Sequence, residues 1–373
     1  MADTVLPKTS LKDAGLREEP IAALERLIEK HVAEGVYPGA SFAIARHGKL
    51  ARHAVFGAAA KGRKATAETL WLLFSNTKVI AAAALWALAE EGLFRFTDPV
   101  AKHVPDFARN GKGEVTVLQV LTHRGGFPSA QVPPTAWDDH GAMREAVCNF
   151  TLEWTPGSQL QYHGLSAHWT AAVLMEALTG EDFRAVIRDR VLRKLGLDEV
   201  IHVGLAPKLH GRAADMHEPA TGGARPIPEV NTASWKRAGV PGAGGYATAA
   251  GMAAFYQALL GGGALGRKRF AGPRTLAYAI RDWTGDMVDT YMGMPMHRGI
   301  GPHLRGHEAT IRGLGSFASP TTFGHGGVGS SYCWADPESG VSFAYLTNCR
   351  VPDPWHSERL DVVSNFVHAA ILD

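Results

Sequence analysis

The segment Phe74-Ser75-Asn76-Thr77-Lys78 holds two residue types that acyl transfer needs. A serine hydroxyl is a poor nucleophile until something accepts its proton, and a nearby ammonium holds down the pKa of the base that does so. Residues three apart share a face of a helix, so the spacing predicts Lys78 beside Ser75. A helix starting at Ser75 also points its backbone N–H, and the positive end of its dipole, at the place where an oxyanion would form. Taken alone the motif is weak. With 15 serines and 13 lysines in 373 residues, about half a Ser-x-x-Lys match is expected by chance, and serine is a favoured N-cap before an apolar helix.

Two further segments carry groups of the right kind. Trp154-Thr155-Pro156-Gly157-Ser158 is a turn leading into Tyr162-His163-Gly164 and an apolar helix; a tyrosine so placed is ordinarily an amphipathic core residue. Phe323-Gly324-His325-Gly326-Gly327-Val328-Gly329 precedes a C-terminal hairpin. Its glycines let a ligand approach an edge-strand backbone, although a flexible loop is the plainer reading. Other apparent motifs carry less. Gly261-Gly262-Gly263-Ala264-Leu265-Gly266 fits G-x-G-x-x-G but follows a helix, so it reads as a loop. His297, His303 and His307 lack acidic or cysteine company and are expected to hold no metal. There is no G-x-S-x-G, which excludes the nucleophile elbow of the α/β-hydrolases. One or two of Trp137, Trp235, Trp334 and Trp355 are expected to line an apolar acyl pocket.

The elements that must position these groups follow from pattern. Residues 1–19 read as a polar, poorly packed arm. A helix opens at Pro20 with Ile21, Leu24, Leu27, Ile28 and Val32 on one face, and Gly35 stops it. A hairpin follows, Ser41–Arg46 and Leu50–Phe56 about a His47-Gly48 turn. Asn76–Glu91 is Ala-rich and apolar on nearly every face, the mark of a buried helix. From about 97 to 280 the signals are helical. Tyr332–Ala335 and Val341–Thr347 then form a second hairpin, and a last helix starts near Pro354. Strands at both ends with helices between predict an α/β (α+β) fold, an antiparallel sheet flanked by helices. Residues 1–74 and 281–373 are expected to build the sheet domain and 75–280 a mostly helical domain, with the active site in the cleft between.

Composition narrows the function. Apolar residues make up 46% and charged residues 20%, with 38 basic against 36 acidic side chains, so a sizeable core is available and nucleic acid or an acidic membrane has no electrostatic claim. Three cysteines without a C-x-x-C argue against a disulfide framework or zinc ribbon. The first twenty residues hold no apolar signal region. The longest uncharged apolar run, Val79–Ala89, is too short to span a bilayer. A cytoplasmic protein with no membrane partner is expected.

Ser75-Asn76-Thr77-Lys78, Tyr162-His163-Gly164 and His325-Gly326-Gly327, in that order, resemble the three motifs of the serine β-lactamase-related hydrolases. That family includes class C β-lactamases, D-alanyl-peptidases and family VIII carboxylesterases. Tyr37-Pro38-Gly39-Ala40, Asp98-Pro99-Val100, Leu121-Thr122-His123-Arg124-Gly125-Gly126, Gly244-Gly245-Tyr246-Ala247-Thr248 and Leu346-Thr347-Asn348 add to the likeness, which covers roughly residues 20–372. The resemblance implies Ser75 as acyl-accepting nucleophile, Lys78 as its electrostatic and proton-sharing partner, and Tyr162 as general base. It implies an oxyanion hole from the N–H groups of Ser75 and Val328. His325, Gly326, Gly327 and His163 would touch substrate, and no metal or organic cofactor is required. The sequence departs from the family pattern twice: Gly164 stands where an Asn usually reads a substrate amide, and His325 where a Lys usually binds a carboxylate. Both departures favour small to medium neutral esters over β-lactams, peptides or other amides. Acyl transfer to an alcohol, and a non-catalytic ligand-binding or sensor protein on the same fold, are the other readings.

Overall fold

Seven antiparallel strands drawn from both ends of the chain form the main sheet, in the order His303–Leu304, Phe323–Gly327, Ser331–Asp336, Val341–Thr347, Gly39–Arg46, Lys49–Ala60, Arg63–Lys64. The structure is a computed structural model, and it describes residues 5–308 and 313–372. Central strand Gly39–Arg46 is apolar almost throughout because both its faces are covered. Phe42 and Ile44 pack with Leu24, Ile28, Leu360 and Val363 from the helices Glu18–Ala33 and Trp355–Ala370. Their alternates Ala43 and Ala45 face the other way, into a core with Met252 and Phe255 of the helix Ala249–Leu260. The period of two in a strand thus sorts one segment's side chains into two cores.

Ala249–Leu260 belongs to the stretch read as a helical insertion, yet it packs on the sheet strands. Its Gln257 amide donates to the carbonyls of Ala45 and Gly340. The helix Thr77–Glu90 is buried along twelve successive residues, Thr77–Leu88, as its all-round apolar surface predicts. Each fully buried Leu or Ile there contributes about 1.5–3 kcal/mol, and the many alanines let neighbouring segments approach closely. Trp86 Nε1 donates to the Ile300 carbonyl at 3.0 Å, tying this helix to the loop before the edge strand.

Two expectations need correction. The N-terminal arm is packed: Leu6, Leu11 and Leu16 are buried, and Lys8 and Leu16 bridge to Leu50 and Ile371. Their spacing of five matches neither strand nor helix, so periodicity does not reveal them; residues 1–4 of the arm lie outside the described residues. The stretch read as helical also contains strands: Gly245–Ala247 and Ile201–Val203 form a three-stranded sheet with Trp71–Leu72 from the preceding segment, and His217–Ala220 and Gly223–Pro226 form a hairpin. Strands of two to four residues are too short for alternation to register. Among the described residues, no helix is long and apolar enough to cross a membrane.

Candidate active site

Ser75 sits in the turn Phe74–Asn76 that opens the buried helix. Phe74 takes a φ of +44°, a conformation that non-glycine residues adopt only where their surroundings enforce it. The enforcement is visible. Leu73 N–H donates to the Gly245 carbonyl at 2.8 Å, and Asn76 N–H donates back to the Leu73 carbonyl at 3.2 Å. The buried Asn76 amide, in the orientation that satisfies both its ends, donates to the His325 carbonyl and accepts from Ser331 Oγ at 2.9 Å and Gly327 N–H at 3.3 Å. One side chain therefore fixes the Ser75 turn against the strand Phe323–Gly327. A Cβ at Gly327 would collide with the Leu73 carbonyl, which is why glycine is needed at that point of approach.

Lys78 lies one helical turn on and has no exposed surface. Its Nζ donates to Ser75 Oγ at 3.0 Å and to the carbonyls of Gly164 and Gly242 at 2.7 and 2.8 Å. Thr77 holds the Gly242 loop in reach, its Oγ1 accepting from Gly245 N–H at 2.9 Å. Burial, with a smaller push from the Arg298 guanidinium, lowers the Lys78 ammonium to about 7. In its free-amine form the lysine would still donate to both carbonyls while accepting the Ser75 proton.

Tyr162 completes the group. Its phenol is close enough to Ser75 for that hydroxyl to lower its pKa, and Lys78 Nζ stands 5.2 Å from the ring centroid. Burial pushes the phenol up to about 12, against the opposing pull of the Ser75 hydroxyl and of Arg298. The backbone around it is clamped on both sides. Tyr162 N–H donates to Asp289 Oδ1 at 3.2 Å, Gln161 N–H to the His123 carbonyl at 3.2 Å, and His163 N–H to His123 Nδ1 at 3.0 Å. His123, Asp289 and Arg298 were not singled out from sequence as site residues; only His123 fell inside a quoted landmark.

His163 does not reach substrate in this arrangement, which corrects the expectation. Its ring is fully buried against Phe127 and Trp154, Nε2 accepts from Phe127 N–H at 3.2 Å, and Nδ1 donates to the Gln161 carbonyl at 2.7 Å. Both nitrogens are committed to backbone, so the residue is a latch for the tyrosine segment. His325 does stand at the cleft group, its ring 6.2 Å from that of Tyr162 and 4.1 Å from that of His303. It donates from Nδ1 to the Gly326 carbonyl at 2.8 Å, which leaves Nε2 as an acceptor. Burial, then the charges of Lys78 and Arg298, hold it well below the usual histidine range, so it is neutral. Val328 follows directly on the strand and is exposed.

The remaining candidates sit elsewhere. Trp334 stacks on His368, Trp355 lies against His31 and Arg359, and Trp137 and Trp235 pack edge to face on each other. His297 does have acidic company, contrary to the sequence reading: Asp282 and Glu308 take its two nitrogens at 2.6 and 2.7 Å. Contacts made by residues eleven and fifteen positions away leave no local signature.

A half-buried hydroxyl and phenol on a buried amine, at the start of a helix and beside the strand Phe323–Gly327, is the apparatus of acyl transfer. The comparisons with known proteins agree. The Beta-lactamase family model matches residues 24–364, so the chain belongs to that family. The fold is that of a penicillin-binding protein homologue from Caulobacter crescentus (TM-score 0.80, 28% identity, 94% of this chain and 99% of that one) and of a family VIII carboxylesterase (TM-score 0.80, 26% identity, 95% and 99%). The esterase/beta-lactamase LipL of Mycobacterium tuberculosis is 29% identical over 76% of this chain and 70% of its own length. The chain is accordingly a serine hydrolase acting on esters or amides through an acyl-enzyme.

Proposed function

We propose that this protein hydrolyses small to medium neutral carboxylic esters through an acyl-Ser75 intermediate. The observation that carries the reading is the position of Lys78 Nζ, 3.0 Å from Ser75 Oγ and, among the described residues, otherwise bonded to two carbonyls, with the Tyr162 ring 5.2 Å away. Ser75 Oγ attacks the ester carbonyl while its proton passes into the Lys78–Tyr162 pair. The lowered ammonium of Lys78 and raised phenol of Tyr162 favour the Lys78 amine as first acceptor, and the Tyr162 hydroxyl as donor to the departing alkoxide. The N–H groups of Ser75 and Val328 would receive the oxyanion; removing one such donor typically costs about 10²–10³ in rate. Water then attacks the acyl group, its proton entering the same pair, and Ser75 is released.

Two features support an ester over an amide or lactam. Among the described residues nothing lies within 4 Å of a Cβ placed on Gly164, so the position where an amide-reading side chain is usual is open. Neutral His325 presents an acceptor in place of a cation, which offers a substrate carboxylate nothing. The test is incubation with a p-nitrophenyl ester, following nitrophenol release and the mass of the Ser75 peptide. A burst, turnover and an acylated Ser75 are expected, with Ser75→Ala inert but folded. Turnover by Ser75→Ala would end the proposal.

A further inference from the structure

Arg298 is a second cation at the site, and the mechanism above gives it no task. It is 1% exposed and its ion-pair partner Asp289 is 0% exposed, with Arg298 Nη2 to Asp289 Oδ2 at 2.5 Å. A buried ion pair rarely adds stability over an apolar pair of similar size, so its presence calls for another reason. The two partners are satisfied unequally. Asp289 Oδ1 accepts from three backbone N–H groups, those of Tyr162, Tyr291 and Met292, at 3.2, 3.0 and 3.3 Å. Among the described residues, Arg298 Nε and Nη1 have no hydrogen-bond acceptor, and its Cζ lies 5.2 Å from the centroid of the Tyr162 ring. The anion's charge is spread over backbone donors, whereas the cation's free edge meets the aromatic face.

We propose that Arg298, anchored by Asp289, is a positioning residue that supplies the fixed positive charge missing from the His325-Gly326-Gly327 strand, and so holds the Lys78–Tyr162 pair short of a proton and ready to take the one from Ser75. The inference rests on the acyl-Ser75 reading. A guanidinium does not deprotonate in proteins, so its charge is constant across the working pH range. Beside it a second positive charge at Lys78 is disfavoured, and negative charge at Tyr162 is favoured; both drive the pair toward its proton-accepting state. The other groups facing Tyr162 do not provide this. His123 and His325 are buried and held well below the usual histidine range, His303 packs edge-on at 6.3 Å, and Tyr291 and Asp289 raise the phenol instead of lowering it. Lys78, equally 5.2 Å from the ring centroid, is the group being acted upon.

The test compares full-length wild type, Arg298→Lys, and the double variant Arg298→Met with Asp289→Asn, which leaves no unpaired buried charge and keeps an acceptor for the three backbone N–H groups. Two readouts are taken: the pH profile of kcat/KM on a p-nitrophenyl ester, and the titration of Lys78 by NMR of lysine labelled at Nζ and Cε, assigned by the missing peak of Lys78→Met. In wild type the acidic limb and the Lys78 titration should fall together near 7. The double variant should move both upward by about one unit, a loss of about five- to sixfold at pH 7 that approaches tenfold at lower pH, and Arg298→Lys should restore both. A folded double variant in which Lys78 titrates as in wild type overturns the inference. If wild type neither acylates nor turns over, the functional reading fails, and the NMR titration still decides the role of Arg298.

Discussion

Lys78 and Lys112 are both lysines without exposed surface, each with three hydrogen-bond partners, and they do different things. Lys112 Nζ donates to the carbonyls of Arg109, Cys148 and Phe150 at 2.7, 2.9 and 2.5 Å. Carbonyls only accept, so every N–H of that ammonium is needed, and the lysine ties a loop to the C-terminal end of the helix His140–Cys148, where a cation is favoured. Lys78 has two carbonyls and one hydroxyl. A hydroxyl can turn round and donate, so Lys78 can lose a proton without orphaning any neighbour. Burial lowers both ammonium groups, to about 7 for Lys78 and about 8 for Lys112. The pKa alone hardly separates them. The chemistry of the third partner does.

The largest effect expected from this contrast is on turnover. Lys78→Met should lose at least about 10³ in kcat/KM, the upper part of the range for a positioned acid–base group, while remaining folded with some stability lost at the Gly164 and Gly242 carbonyls that it leaves without a donor. Lys112→Met should keep its turnover per folded molecule and lose stability instead, about 1–3 kcal/mol for the buried Cys148 carbonyl that loses its donor, since the carbonyls of Arg109 and Phe150 keep the Lys112 N–H and the Asn110 amide. Turnover assays and denaturant melts on both variants check the pair. Equal losses of activity would break the comparison.

How much of this was legible beforehand follows the range of the contacts. Ser75 and Lys78 are three residues apart on one helix, so local geometry brings them together and the spacing could be read directly. The sheet was legible because the His47-Gly48 turn and the two hairpins are local patterns. Tyr162 and His325 came through resemblance to a family, since no rule of spacing links residues 87 and 250 positions from Ser75. What stayed hidden is held by long-range contacts: Lys112 on the carbonyl of Phe150, Asp289 on the N–H of Tyr162, Arg298 on an aromatic face. His163 was misread for a related reason. It neighbours a reactive residue in sequence, but its side chain leaves the backbone on the other side and becomes a latch.

A smaller effect concerns pH and stability. Lys78 is held below its unfolded range in the folded protein, so between about 7 and the ordinary lysine value the unfolded chain binds more protons, and folding gains stability as pH rises. The cost of burying the charge is complete below pH 7. Against Lys78→Met, wild type should therefore be at its relative worst near pH 6 and improve above 7, by at most about 1.4 kcal/mol per pH unit. Lys112 should show the same sign beginning one unit higher. Chemical melts of wild type and both methionine variants at pH 6, 8 and 9.5 measure this. A Lys78 difference that is flat with pH would mean that its ammonium keeps its proton in the fold, and the free-amine role would fall with it.

The finest test separates the two jobs of Gly164. Its carbonyl is the shortest partner of Lys78, at 2.7 Å, while its side-chain position is open among the described residues and its φ is not in the left-handed region. Gly164→Asn should therefore fold with an unchanged melting temperature and leave the Lys78 contacts intact. The new amide can hydrogen-bond a substrate amide, so turnover of an anilide relative to the matching ester should rise about tenfold, the worth of one hydrogen bond. Ester turnover should stay near wild type, because residue 164 holds Lys78 through its backbone carbonyl, which the substitution leaves in place. A fall in ester turnover with no gain on the anilide would show that the Gly164 carbonyl holds Lys78 less securely than its two fellow acceptors, and the line drawn between the catalytic and the structural lysine would have to be moved.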